Sequence, residues 1–318
     1  MKLAFLLLLG LVCYLLAAIA WFALSWRNPR RGAVLLTVAF AALAAPWALP
    51  EIPRAHRLLA SMGAIALATK VYDLSRGPAL TPPPPVAGYL LWLGNVFTLV
   101  FRKPPPAAGR STAQEAARLA TSAGLAAVGT VVIAAVWFNP LWGQIGFWSE
   151  HCLKVLLFFC TIWAVSAAGA SLMRLLGSPA LELMIAPILS RTPADFWRRY
   201  NRPVNQFLHE HVFLRAGGLS RHGPAILLAF FVSGLIHEYV FLAPIGRVCG
   251  YQMAFFLLQG AAVAATARFR PQAGLAALSA LATAAFMLAS ASLFCASLNA
   301  VAPFYVSEVP NWLRCGVE

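Results

Sequence analysis

The chain has 318 residues, 61% of them hydrophobic and 11% charged, and its 24 Lys and Arg outnumber 10 Asp and Glu to leave a net charge of +14. Soluble domains carry roughly a quarter charged residues. A mean hydropathy of +0.75, with repeated apolar runs as long as a bilayer is thick, excludes a soluble nucleic-acid binder and a disordered chain alike. What remains is an all-α, multi-pass integral membrane protein, a helical bundle read as one domain over 1–318.

In chain order, the run 3–26 comes first. It is longer than the core of about 7–15 residues in a secretory signal, and Trp21, Phe22 and Trp26 close it as interfacial aromatics close a span. It reads as a retained span. Segment 33–49 follows. Segment 58–71 is short and bears Lys70, so a span, a tilted helix and a re-entrant piece all stay open. Segments 86–101, 123–138, 153–176, 225–243, 250–267 and 272–300 complete a set of about eight or nine membrane segments. The last is rich in Ala and Ser, which suits tilt and close helix packing. Prolines 82–85 and 104–106 make stiff connectors that cannot continue a helix. The sequence shows no useful internal repeat, which weighs against inverted-repeat transporters.

The loops differ in charge. Segment 177–224 carries Arg191, Arg198, Arg199, Arg202, Arg215 and Arg221, whereas 139–152 has no Lys or Arg. The positive-inside rule therefore puts 177–224 and 102–118 on the cytoplasmic face and 139–152 opposite. The N-terminal third conflicts with this: if 58–71 spans, Arg27, Arg30 and Arg31 fall outside. The cysteines at 13, 152, 160, 249, 295 and 315 form no CxxC pair. Free thiols are expected, with neither a zinc site nor a disulfide framework.

Two constellations carry chemistry. The span 225–243 contains His237 and Glu238, and ionisable groups at membrane depth are functional candidates because burying them is costly. Burial favours the neutral imidazole that a general base needs. Ser233 and Gly234, one turn earlier, leave room for a thin substrate beside that face. Glu238 points about 100° away, towards a neighbouring helix, an arginine or the interface. Upstream, Thr192 suits an N-cap, Pro193 the first helical position and Asp195 the positive end of the helix dipole. Pro203 breaks the helix and leaves Asn201 at an exposed kink. The aromatics interleaved with arginines fit either an interfacial anchor or a cationic mouth for a phosphate-bearing co-substrate.

Other motifs fail. His237-Glu238 lacks the second His of H-E-x-x-H, and His209 and His211 lie two residues apart on different faces, so no metal is expected. Ser171, after Gly169 and Ala170, offers a weak serine-protease dyad with His237, because Leu172 stands where a glycine usually follows.

Residues 195–201, D-F-W-R-R-Y-N, and 233–238, S-G-L-I-H-E, resemble the two signature segments of the membrane-bound O-acyltransferases. The nearer likeness is to the wax-synthase branch, whose D-F-W-x-R-R-W-N segment precedes an S-G-x-x-H-E span. Here Tyr200 replaces the usual Trp, and one residue between the Trp and the Arg pair is missing. The resemblance covers about 50 residues closely, roughly 191–242. It implies a multi-helix bundle enclosing a tunnel, with His237 as catalytic base and Asn201 assisting. The expected reaction moves a fatty acyl group from acyl-CoA, a co-substrate rather than a bound cofactor, to the hydroxyl of a lipophilic alcohol. Trp197, Arg198, Arg199, Arg202, Ser233 and Glu238 are the expected substrate contacts, with membrane lipids around them and no nucleic acid. The competing readings are O-acylation of an extracellular polysaccharide or a protein hydroxyl, and a proton-coupled transporter in which His237 relays protons.

Overall fold

The computed structural model describes residues 2–48, 52–106 and 109–315. These residues are helical with no strand among them: α1 Lys2–Ile19, α2 Arg30–Ala44, α3 Arg54–Arg76, α4 Val86–Gly94, α5 Thr112–Val136, α6 Trp142–Ile145, α7 Phe147–Leu175, α8 Pro193–Arg199, α9 Arg202–Leu208, α10 His222–Ile245, α11 Tyr251–Thr266 and α12 Ala276–Val301. Among them α3, α5, α7, α10 (with the turn that leads into it) and α12 are long and apolar enough to cross a membrane. The chain is an integral, multi-pass membrane protein. The end of the expected span 33–49, and residues 107–108 of the expected cytoplasmic loop 102–118, lie outside the described residues.

One open segment is resolved and one expected span changes character. The short segment 58–71 is the middle of α3, a helix of 23 residues. Segment 86–101 is no span: α4 has nine residues, and the chain turns back after Asn95. Lysine 70 is the cause. Its ammonium, fully buried in α3, donates to the Trp92 carbonyl, to Asn95 O (2.8 Å) and to Thr98 O (2.9 Å). Helix C-termini leave carbonyls unpaired, and a cation there also meets the negative end of the dipole. The Asn95 amide adds bonds to Ser178 Oγ and Pro179 O, both 2.8 Å. Tyr89, which donates to the Ala17 carbonyl, packs α4 into a core with Leu24, Leu35, Val71 and Leu74. The α4 hairpin thus enters the bundle and leaves on the same side.

That correction removes the conflict in the N-terminal third. Arg31 donates to the carbonyls of Leu74 and Gly77, at the end of α3. Asp73 in that same last turn accepts from Phe101 N and pairs with His211, which belongs to the arginine-rich segment 177–224. The loop with Arg27, Arg30 and Arg31 therefore shares a side with 177–224. At the other end, Arg54 and Arg57 of α3 donate to Ala300 O and Ala243 O, where α12 and α10 finish.

The free-thiol expectation is overturned at two positions: Cys249 and Cys315 form a disulfide with a Cα–Cα distance of 5.8 Å, inside the usual range. Separated by 66 residues, the two give no local spacing signal. The α10–α11 loop brings Cys249 to the end opposite the arginines, and the C-terminal segment brings Cys315 there. Cys13 and Cys295 are free and buried, while Cys152 is half-buried and Cys160 exposed.

Candidate active site

The cap residues read from the sequence start α8. Thr192 Oγ accepts from Asp195 N (3.0 Å), with Pro193 next to it. The Asp195 carboxylate accepts from Arg198 Nη2 and Arg199 Nε, each at 3.0 Å, and from Arg191 N at 3.3 Å. Burial opposes its charge, but these hydrogen bonds and the two guanidinium charges win and hold its carboxyl below the usual aspartate range. Asn201 follows in the left-handed region (φ 46°, ψ 51°), and Pro203 lies in the first turn of α9. Asn tolerates that conformation better than most side-chain-bearing residues. The kink is as expected. Its exposure is not, for Asn201 is half-buried and faces a cavity.

That cavity, of about 610 Å³, is where the two signature segments meet. Asn201 and His237 both line it, with Trp197, Arg198 and Ser233, among a mostly apolar wall from α7, α10, α11 and α12. His237 packs on Phe256, with ring centroids 4.3 Å apart, and edge-on against Phe294 at 5.9 Å. Its Nδ1 lies 2.8 Å from the Ser233 carbonyl. A carbonyl only accepts, so Nδ1 carries the proton, and in the neutral ring Nε2 is the basic nitrogen.

Arg199, Arg202 and Glu238 are not among the cavity-lining residues. Glu238 is buried and accepts from Met253 N (3.0 Å), so it caps the start of α11. Gly234 turns to the same helix: a Cβ there would lie 2.9 Å from Met253 Sδ, so its bareness serves helix packing rather than substrate access. Ser171 is fully buried outside the cavity lining, which separates it from His237. His211 is spent on Asp73 at 2.7 Å, while His209 lines the cavity. Among the described residues, no three His, Cys, Asp or Glu cluster as a metal site.

Gln259, fully buried in α11, was missed in the sequence. Its Oε1 accepts from Trp197 Nε1 (3.0 Å) and its Nε2 donates to Ser290 Oγ of α12 (2.7 Å). Gln252, seven residues earlier and also fully buried, donates to Phe294 O at 3.1 Å. Two amides on one face of an apolar segment were a readable sign of interhelical hydrogen bonds. Asn205, also missed, lines the cavity and donates from its side chain to Trp197 O (3.0 Å).

The family profile of MBOAT, the membrane-bound O-acyltransferase family, matches residues 130–298. That is more than half of the chain and encloses both signature segments and most of the cavity wall. The chain belongs to the membrane-bound O-acyltransferase family. A similar protein is the "Probable sterol O-acyltransferase 1" of Schizosaccharomyces pombe (strain 972 / ATCC 24843), 39% identical over 67 residues. The match covers 20% of this chain and 12% of that protein.

Proposed function

We propose that this protein transfers a fatty acyl group from acyl-CoA to the hydroxyl of a lipophilic alcohol, with His237 as base and Asn201 as its assistant. One observation carries the reading: His237, protonated on Nδ1 with Nε2 as its free base, and the Asn201 side chain belong to one largely apolar cavity. In the transfer, Nε2 takes the proton as the alcohol oxygen attacks the thioester carbonyl. The Asn201 amide donates to the oxyanion that forms. Collapse breaks the C–S bond, and the proton returns to the departing thiolate, leaving an ester and free coenzyme A. Such a base contributes roughly 10²–10⁴ in rate.

The arginine-rich side is the cytoplasmic one, where acyl-CoA is found. Positive charge gathers there, and the disulfide lies at the other end, as it must if that end faces an oxidising compartment. Arg198 is the cavity-lining arginine best placed to meet the coenzyme A phosphates. Its side chain is 60% exposed, and an exposed ion pair such as that with Asp195 is worth little, so the guanidinium is free to exchange partners. The relative's name specifies a sterol, itself a lipophilic alcohol, beside the long-chain alcohol that the wax-synthase likeness suggests. Membranes holding the protein are to be incubated with labelled acyl-CoA and either alcohol. Ester formed by wild type and lost in His237→Ala is the expected result; ester that persists in His237→Ala sinks the assignment.

A further inference from the structure

Past His237 the cavity runs away from the arginines and ends against the C-terminal segment. Leu298 and Cys295 of α12 and Phe304 beyond it line that end, with Val155 of α7 opposite. Phe294, the ring in contact with His237, is seven residues before the last residue of α12, which is about 10 Å of helix. Phe304 is 3% exposed and packs edge-on against Trp137 at 4.9 Å.

The segment that carries Phe304 is tied down at nearly every residue. Lys154 Nζ donates to its carbonyl (2.8 Å), and Asn299 Oδ1 accepts from its N–H (2.8 Å) and from that of Tyr305 (3.2 Å). The Tyr305 hydroxyl meets His151 Nδ1 at 2.7 Å. The Glu150 carboxylate accepts from Val306 N and Ser307 N, both 2.8 Å, and from the Ser307 hydroxyl. Glu150 and Lys154 pair at 2.5 Å, and both side chains are fully buried. A buried charge pair satisfied on every side fixes one geometry and punishes its loss. The floor of the cavity is therefore rigid.

We infer that residues 302–307 form a fixed plug and that Phe304 sets the longest acyl chain the protein accepts. The inference rests on the acyl-transfer reading. The coenzyme part of the donor is large, charged and held at the arginine side. With the thioester carbonyl at His237, the acyl chain has to run on towards Leu298 and Phe304. A membrane alcohol has no such constraint, because it arrives from the lipid. A methylene that finds a dry place is worth about a factor of four in binding. One that meets a rigid wall forces the chain out of register with the base instead.

The test uses the full chain in membranes, one long-chain alcohol, and an even-numbered series of saturated acyl-CoAs in competition, with the esters resolved by chain length. Phe304→Ala should raise the relative kcat/KM of chains just beyond the wild-type limit by about fourfold for each methylene newly housed. Leu298→Phe should move the limit to shorter chains, and it carries the test if Phe304→Ala folds poorly. Ester output with the wild-type length profile in the folded variants would overturn the plug. A wild type that makes no ester from any donor would overturn the acyl-transfer reading, and this inference with it.

Discussion

Replacing Gln259 by Leu tests how the signature helix α8 is held against the bundle. The amide is fully buried and makes two side-chain bonds, to Trp197 at 3.0 Å and to Ser290 at 2.7 Å. Ser290 keeps a partner without it, since its hydroxyl also donates to Phe286 O at 2.7 Å. The Trp197 indole N–H does not, and is left facing Phe230, Phe255 and Phe256. Hydrogen bonds between membrane helices average about 0.6 kcal/mol in double-mutant cycles. An orphaned buried donor adds about 1–3 kcal/mol. Gln259→Leu should therefore cost about 2–3 kcal/mol of stability.

In a Trp197→Phe background no indole donor is orphaned, and the same substitution should cost about 1–3 kcal/mol less. The assay is equilibrium unfolding of the four proteins in mixed micelles, read by retention of the folded peak on gel filtration. The same four are to be followed for ester formation. Asn201 sits two residues beyond the end of α8, and a displacement of about 1 Å costs on the order of 10² in rate. The rate should fall more than KM for acyl-CoA rises. Additivity within about 0.3–0.5 kcal/mol would refute the bridge, since independent sites behave that way.

Further outcomes follow from the same geometry. Asn201→Ala should lower kcat by about 10²–10³ if its amide meets the oxyanion, with little change in KM, as measured by initial rates. Asp195 has a folded-state pKa below its unfolded one, so its contribution to stability is complete above the ordinary aspartate value and disappears as pH falls through the lower, folded value. Unfolding followed in acid should show wild type losing stability in that window, and Asp195→Asn losing less. With the four free cysteines changed to Ala, Cys249→Ser and Cys315→Ser should each leave one thiol that a membrane-impermeant maleimide labels from the non-cytoplasmic side. Labelling only from the cytoplasmic side would invert the topology.

What was legible in the sequence rested on local signals. Thr192, Pro193 and Asp195 announce a helix start whatever surrounds them, and His237 stands out because the span around it is so apolar. What stayed hidden depended on partners far away in the chain. Hydropathy cannot distinguish a span over 86–101 from a nine-residue helix that ends at Gly94. The difference lies in Lys70, which looked like a blemish in a short apolar segment and is in fact the cation that satisfies the carbonyls at the turn. Glu238 was read for its charge next to His237, yet its direction on the helix gives it to Met253. The Cys249–Cys315 pair and the Glu150–Lys154 clamp on residues 304–307 join segments that no spacing rule connects.

These hidden contacts have a common consequence for the chemistry. On the proposed reading the site joins a water-soluble thioester to a lipid, and such a site has to open to water on one side without opening a path across the membrane. On the arginine side the cavity wall is made of short elements, α8 and α9, joined at a left-handed Asn and bordered by exposed Arg198. On the other side it is closed by a segment with its N–H and carbonyl groups bonded to Glu150, Lys154 and Asn299, and with its end tethered by the disulfide. The division follows from cost. Backbone that leaves a helix inside a membrane needs a partner for each polar group, so a closed floor requires buried charges to supply them. At the mouth the exposed Arg198 side chain can instead rely on solvent beside its bond to Asp195.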